Sequence, residues 1–146
     1  MLRLSPSLDF EHAARKALTH YQTALGGELQ LISYAEYKSG DPSVEITDAD
    51  REGVVYGVLR TDAGLRIQAS DVGEPVISSA NLAIELSGQP EDLDYLRAAF
   101  DILADGGTVK VPFVEAEWGG GDWWGLLTDK FGVDWSFMVW PEGKYL

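Results

Sequence analysis

The chain has 146 residues, of which 45% are hydrophobic and 11% aromatic, enough apolar material to bury a core in one compact domain or two paired modules. Twenty-four acidic residues against eleven basic ones leave a formal charge of -13, which opposes contact with nucleic-acid phosphates and anionic lipid. Cysteine is absent, so disulfides, thiolate nucleophiles and Cys-ligated zinc are excluded.

The opening Met1-Leu2-Arg3-Leu4-Ser5-Pro6 lacks the apolar centre of a signal peptide, and no stretch approaches the roughly 20 apolar residues that span a bilayer. The expected location is the cytoplasm, with no membrane partner. Residues 4–10 alternate apolar with polar and predict a half-buried strand, Pro6 placing it at an edge or a strand start. A helix follows, because Ala13, Ala14, Ala17, Leu18, Tyr21 and Leu25 recur at three- and four-residue steps before the stop at Gly26-Gly27. The only histidines, His12 and His20, fall in this one segment and are turned apart around its axis, so they do not form a chelating pair. Residues 28–36 predict a second strand and 38–53 a long surface loop. Residues 54–61 and 65–70 predict two strands joined in a hairpin by Asp62-Ala63-Gly64.

The second half repeats this order. Residues 79–87 predict a strand, and Gln89-Pro90-Glu91-Asp92 opens a helix with proline and acids in its first turn. Leu93, Leu96, Ala99, Phe100 and Leu103 give that helix an apolar stripe, and Gly106-Gly107 ends it. Residues 109–114, 123–128 and 133–139 predict three further strands. The expectation is therefore one α+β domain built of two paired βαβββ modules, residues 1–72 and 77–146, forming a half-open, barrel-like sheet with its helices outside. A concave cavity on the helix-free side is a natural small-molecule site.

The string Thr128-Asp129-Lys130-Phe131-Gly132-Val133-Asp134-Trp135 resembles the terminal signature of PhnB-like proteins. These form a branch of the vicinal-oxygen-chelate superfamily, which holds glyoxalases, bleomycin-resistance proteins and extradiol dioxygenases. Leu8-Asp9-Phe10 with a helix ending in Tyr21-Gln22-Thr23-Ala24-Leu25-Gly26-Gly27 is similar to a second element of that group. Gly106-Gly107-Thr108-Val109, Pro112 and Trp118-Gly119 are similar to a third, and the least matched stretch is 38–53. Locally the Asp129 segment reads as a turn: Asp129 hydrogen-bonds the turn backbone, Gly132 takes positive φ, and Phe131 anchors the hairpin. It marks the family and carries no catalytic role.

Enzymes of that superfamily hold a divalent metal through His and Glu side chains on four strands. The resemblance places those positions at Ser5, Tyr56, Asn81 and Ser136, none of them a good chelator, so neither metal nor cofactor is expected. Asp9, Glu85 and Asp134 are the available substitutes. A metal-free member resembles the bleomycin-resistance type, which binds a small cationic or aromatic ligand without transforming it. The alternative is a lyase, isomerase or dioxygenase-type enzyme, with relocated metal ligands or with Glu85 or Tyr56 as a base, and the sequence leaves open whether any reaction is catalysed.

Strand alternation from these positions selects Ser7, Tyr56, Gln68, Glu85 and Ser136 as cavity-facing. Glu85 is the one candidate catalytic group: within Leu82-Ala83-Ile84-Glu85-Leu86 it either acts as a desolvated general base or faces water. Around Gly119-Gly120-Gly121 cluster Glu115, Glu117, Trp118, Asp122, Trp123 and Trp124, read either as core and interface or as a ligand-binding rim. Trp123 and Trp124 must point to opposite faces of a regular strand, so one of them lines the cavity. The resemblance also implies a homodimer, because PhnB-like proteins commonly pair modules across two chains.

Overall fold

A computed structural model describes residues 3–76 and 82–141. The chain divides into two compact units, Met1–Ile77 and Ser78–Leu146. Each has the predicted order of strand, helix and three strands.

Unit 1 comprises β1 (Ser7–Phe10), α1 (Ala14–Leu25), β2 (Glu28–Ser33), α2 (Tyr34–Lys38), α3 (Asp48–Glu52), β3 (Val54–Arg60) and β4 (Arg66–Asp71). Its open sheet runs β1-β4-β3-β2, with β1 parallel to β4 and the other pairs antiparallel. Helix α1 turns Ala14, Ala17, Leu18, Tyr21 and Leu25 inward, the stripe its sequence period predicts. It packs so close to β3 that a Cβ on Gly57 would lie 2.4 Å from Leu18 Cδ1. The helix lacks a side-chain cap of its own. Buried Asp71, at the end of β4, instead accepts the Ala14 N–H at 3.0 Å and the Val54 N–H at 3.0 Å, tying helix start and strand start together.

Unit 2 comprises β5 (Ile84–Gly88), a short 3-10 turn (Pro90–Asp92), α4 (Leu93–Ala104), β6 (Thr108–Glu115), β7 (Trp123–Thr128) and β8 (Asp134–Val139). Its open sheet runs β5-β8-β7-β6, again with the first pair parallel. Phe100 of α4 meets Phe113 of β6 and Phe137 of β8 at centroid distances of 5.6 and 5.2 Å, making an aromatic core between helix and sheet.

The repeat extends to single positions. A Cβ on Gly27 would stand 2.1 Å from the Arg60 carbonyl oxygen, and one on Gly107 would stand 2.3 Å from that of Thr128; each carbonyl ends the middle strand of its unit. Gly125 mirrors Gly57: its Cβ would press on Phe113 at 2.8 Å and Phe100 at 3.0 Å.

Four expectations are adjusted. The first strand begins at Ser7 because Pro6 offers no N–H and pairs only through its carbonyl, which accepts from Gln68 N. The second strand stops at Ser33, where a capping box with Glu36 opens α2. The expected loop 38–53 is partly helical: Thr47 and Asp50 form a second capping box for α3. Lys38 bridges to Asp50 at 2.7 Å, and Arg15 of α1 donates to the carbonyls of Glu52 and Arg51. The fifth strand is observed from Ile84, and its expected start at 79–81 lies outside the described residues. Among the described residues no helix is long and apolar enough to cross a membrane.

Candidate functional site

Helix packing defines two faces on each sheet. In unit 1, Gly57 faces α1, so by alternation Tyr56 and Val58 face away from it. Val58 is paired with Gln68 and Gln68 with Ser7, which puts Tyr56, Gln68 and Ser7 on one helix-free face. In unit 2, Gly125 and its partner Phe137 face α4. Ser136 and its partner Glu85 therefore lie on the helix-free face of that sheet.

On the unit 1 face the three predicted residues are joined by one that sequence reasoning passed over, Arg66. Its Nη2 donates to Tyr56 Oη at 2.8 Å and to Gln68 Oε1 at 3.1 Å, and Gln68 Nε2 donates onward to Ser7 Oγ at 3.3 Å. The signal that finds Arg66 is the same period-two step, since it precedes Gln68 by two residues on β4. A second feature of unit 1 was not anticipated: an open cleft of about 810 Å³ between Asp9, Tyr34 and the segment from Val72 to Val76.

On the unit 2 face, Glu85 is exposed on edge strand β5. Ser136 is half-buried beside Leu126. Asp134 is bound by Lys110 Nζ at 2.8 Å and by the Thr128 hydroxyl. These two contacts, Lys110 first, hold its carboxyl below the usual aspartate value.

The two tryptophans do part. Trp124 pairs with Met138 on the helix-free face, and its ring sits 5.7 Å from that of Trp118. Trp123 pairs with Val139 on the helix side, 5.9 Å from Phe113 and under the Arg97 guanidinium at 5.5 Å. The connecting segment is a defined turn: Gly119, Gly120 and Gly121 all have φ between 78° and 84°. Asp122, expected to be displayed there, is buried, and it accepts the Trp118 indole N–H at 2.8 Å. Glu115 and Glu117 remain exposed, and Trp118 is 59% exposed.

At the metal positions as the resemblance places them, the three described residues are poor donors for a divalent ion. Ser5 and Ser136 are neutral hydroxyls, Tyr56 is already hydrogen-bonded to a guanidinium that repels cations, and Asn81 lies outside the described residues. Among the described residues no group of three His, Cys, Asp or Glu side chains is placed to hold a metal.

The fold and the chain both have known counterparts. A protein from Pseudomonas aeruginosa, PA1353, superposes with a TM-score of 0.75 at 26% identity, over 97% of this chain and 100% of that one. A PhnB protein from Bacillus cereus, described as a 3-demethylubiquinone-9 3-methyltransferase, gives 0.67 at 18% identity over 94% and 99%. A glyoxylase/bleomycin resistance protein/dioxygenase domain from Frankia gives 0.64 at 14% identity over 99% and 96%. The fold is thus that of the glyoxalase/bleomycin-resistance proteins. Protein YjdN of Escherichia coli is 30% identical over 93% of this chain and 94% of its own length. The chain belongs to the PhnB-like family of the vicinal-oxygen-chelate superfamily, although no family model matches it.

Proposed function

We propose that the chain is a metal-independent binding protein for a small aromatic or cationic ligand, received on a helix-free sheet face. The observation that carries this reading is Tyr56: at the position where the family often places a histidine ligand, a phenol accepts a hydrogen bond from Arg66. A guanidinium 2.8 Å from a donor atom disfavours a divalent cation there by direct repulsion. Trp124 and Trp118 supply the stacking surface, with the exposed carboxylate of Glu117 in the same turn attracting positive charge. The candidate polar contacts are Ser7 and Gln68 on the unit 1 face and, on the unit 2 face taken by itself, Glu85 and Ser136, with Trp123 supporting from the helix side.

Two measurements test this. Elemental analysis of untagged protein is expected to find no stoichiometric nickel, zinc, manganese or iron; one ion per chain, lost when Asp9, Glu85 or Asp134 is replaced, refutes metal independence. A thermal-shift screen of aromatic and cationic compounds is expected to return stabilising hits, because whatever binds the native state raises its stability. A screen without hits removes the binding reading. The protein is also proposed to be a cytoplasmic homodimer, since edge strands β1, β2, β5 and β6 leave backbone groups for a second copy to cover. Sedimentation at micromolar concentration should give a dimer, and a monomer contradicts it.

A further inference from the structure

We propose that Arg66, with the hydroxyls of Tyr56 and Ser7, anchors an oxyanion group of the ligand on the helix-free face of unit 1; this deepens the binding function proposed above and rests on it.

The direction of the hydrogen bonds carries the inference. Arginine only donates, so the oxygen of Gln68, and not its amide nitrogen, must face Nη2, which fixes the amide and makes Gln68 Nε2 the donor to Ser7. Tyr56 Oη accepts from Arg66, and Ser7 Oγ accepts from Gln68. The network leaves unused the Tyr56 O–H, the Ser7 O–H and the Nε–H and Nη1–H groups of Arg66, none of them donated to an acceptor among the described residues, beside one further lone pair on each hydroxyl. A phenol that accepts from a cation is also a stronger donor, because bonds in a chain polarise one another. A guanidinium that can only donate, flanked by two hydroxyls with protons to give, fits a group that accepts, above all a carboxylate or a tetrahedral oxyanion.

Charge points the same way. The chain has 24 acidic residues, and Lys38, Arg51 and Lys110 each sit on a carboxylate. Arg66 is half-buried, yet no described carboxylate stands within ion-pair distance of it. Half-buried Arg15 also has no ion pair, but it donates to the carbonyls of Glu52 and Arg51, whereas Arg66 donates only to neutral side chains. The overall negative charge opposes an incoming anion, but that field is screened over about 8 Å at physiological ionic strength, and the short-range donors then decide. The group that Arg66 would hold is therefore a carboxylate or a tetrahedral oxyanion, and an aromatic carrier follows the binding function proposed above.

The test uses the full chain, 15N-labelled, observed at the arginine side-chain Nε–H signals and titrated separately with indole-3-acetate, indole-3-acetamide and phenylphosphonate. The Arg66 signal, assigned by its loss in Arg66→Lys, should move with at least one of the two anions and stay in place with the amide. Movement with the acetate alone identifies a planar carboxylate, and with the phosphonate alone a tetrahedral group. Arg66→Gln should weaken the active anion by about tenfold or more, equivalent to about 1.4 kcal/mol, while unfolding as the parent does. Equal binding of acetate and acetamide, or undiminished anion binding by Arg66→Gln, overturns the anchor and leaves the binding function standing. If none of the three probes binds, the anchor falls, and the binding function is decided by the thermal-shift screen.

Discussion

The helix-facing sides of the two sheets repeat their glycine positions, whereas no such repeat links their helix-free sides. Gly57 and Gly125 make the same concession to a helix, and Gly27 and Gly107 the same concession to a strand-end carbonyl. Turn the sheets over, and unit 1 presents a donor-rich relay through Arg66 while unit 2 presents Trp124, Met138 and Leu126 beside Glu85, Ser136 and Asp134. Packing one helix on one sheet admits few solutions, so that side repeats. The other side is free of that constraint and diverges, and the proposed function is sought there.

The largest expected effects fall on the helix-facing side. Phe137→Ala empties a fully buried site between Phe100 and Phe113 and should cost about 3–5 kcal/mol in urea unfolding. Losses under about 1 kcal/mol would mean that unit 2 does not depend on its aromatic core. Next come the buried carboxylates. Asp129 accepts the N–H groups of Phe131 and Val133 and the indole N–H of Trp135, so Asp129→Ala strands three donors and should cost about 2–3 kcal/mol. Asp71→Ala should cost a similar amount, read as lost hydrogen-exchange protection at the start of α1.

The tryptophans sharpen the contrast within one strand. Trp123→Ala, on the helix side and only half-buried, should lower stability by about 2 kcal/mol, less than a fully buried indole, and leave affinity for a screening hit unchanged. Trp124→Ala should do the reverse, costing about 1–3 kcal/mol of binding through lost stacking with little change in stability. Equal effects in both assays would end the two-face distinction on β7.

The smallest effect concerns the insert between the second and third strands. Asp50 is held at about 2, below its ordinary 3.8, first by the hydrogen bond from Lys38 and then by the Thr47 backbone. A depressed carboxylate contributes stability that is present above its unfolded value and lost as pH falls through its folded one. Exchange protection of α3 should therefore hold at pH 5 and fade as pH falls from about 4 to about 2. Asp50→Asn should remove that pH dependence.

The repeat was legible in the sequence because helix stops, apolar stripes and strand alternation are local signals, and it predicted the face on which Ser7, Tyr56, Gln68, Glu85 and Ser136 lie. The ordered insert was missed although Ser33-Tyr34-Ala35-Glu36 and Thr47-Asp48-Ala49-Asp50 both spell capping boxes; its glycine and proline content outweighed that signal. Arg66 was missed because a charged residue at a strand start reads as solvated, and only the register shows it reaching back to Tyr56. Asp122 read as displayed because no sequence pattern says that a neighbouring indole will claim it.

The account stands on ligand meeting a helix-free sheet face, and the indole N–H signals of the five tryptophans test this most directly. On titration with an aromatic screening hit, the Trp124 signal should shift progressively while that of Trp135, buried on the helix side and bonded to Asp129 at 3.0 Å, stays fixed. A shift of Trp135 with Trp124 unmoved would place the ligand on the wrong side of the sheet and contradict the account.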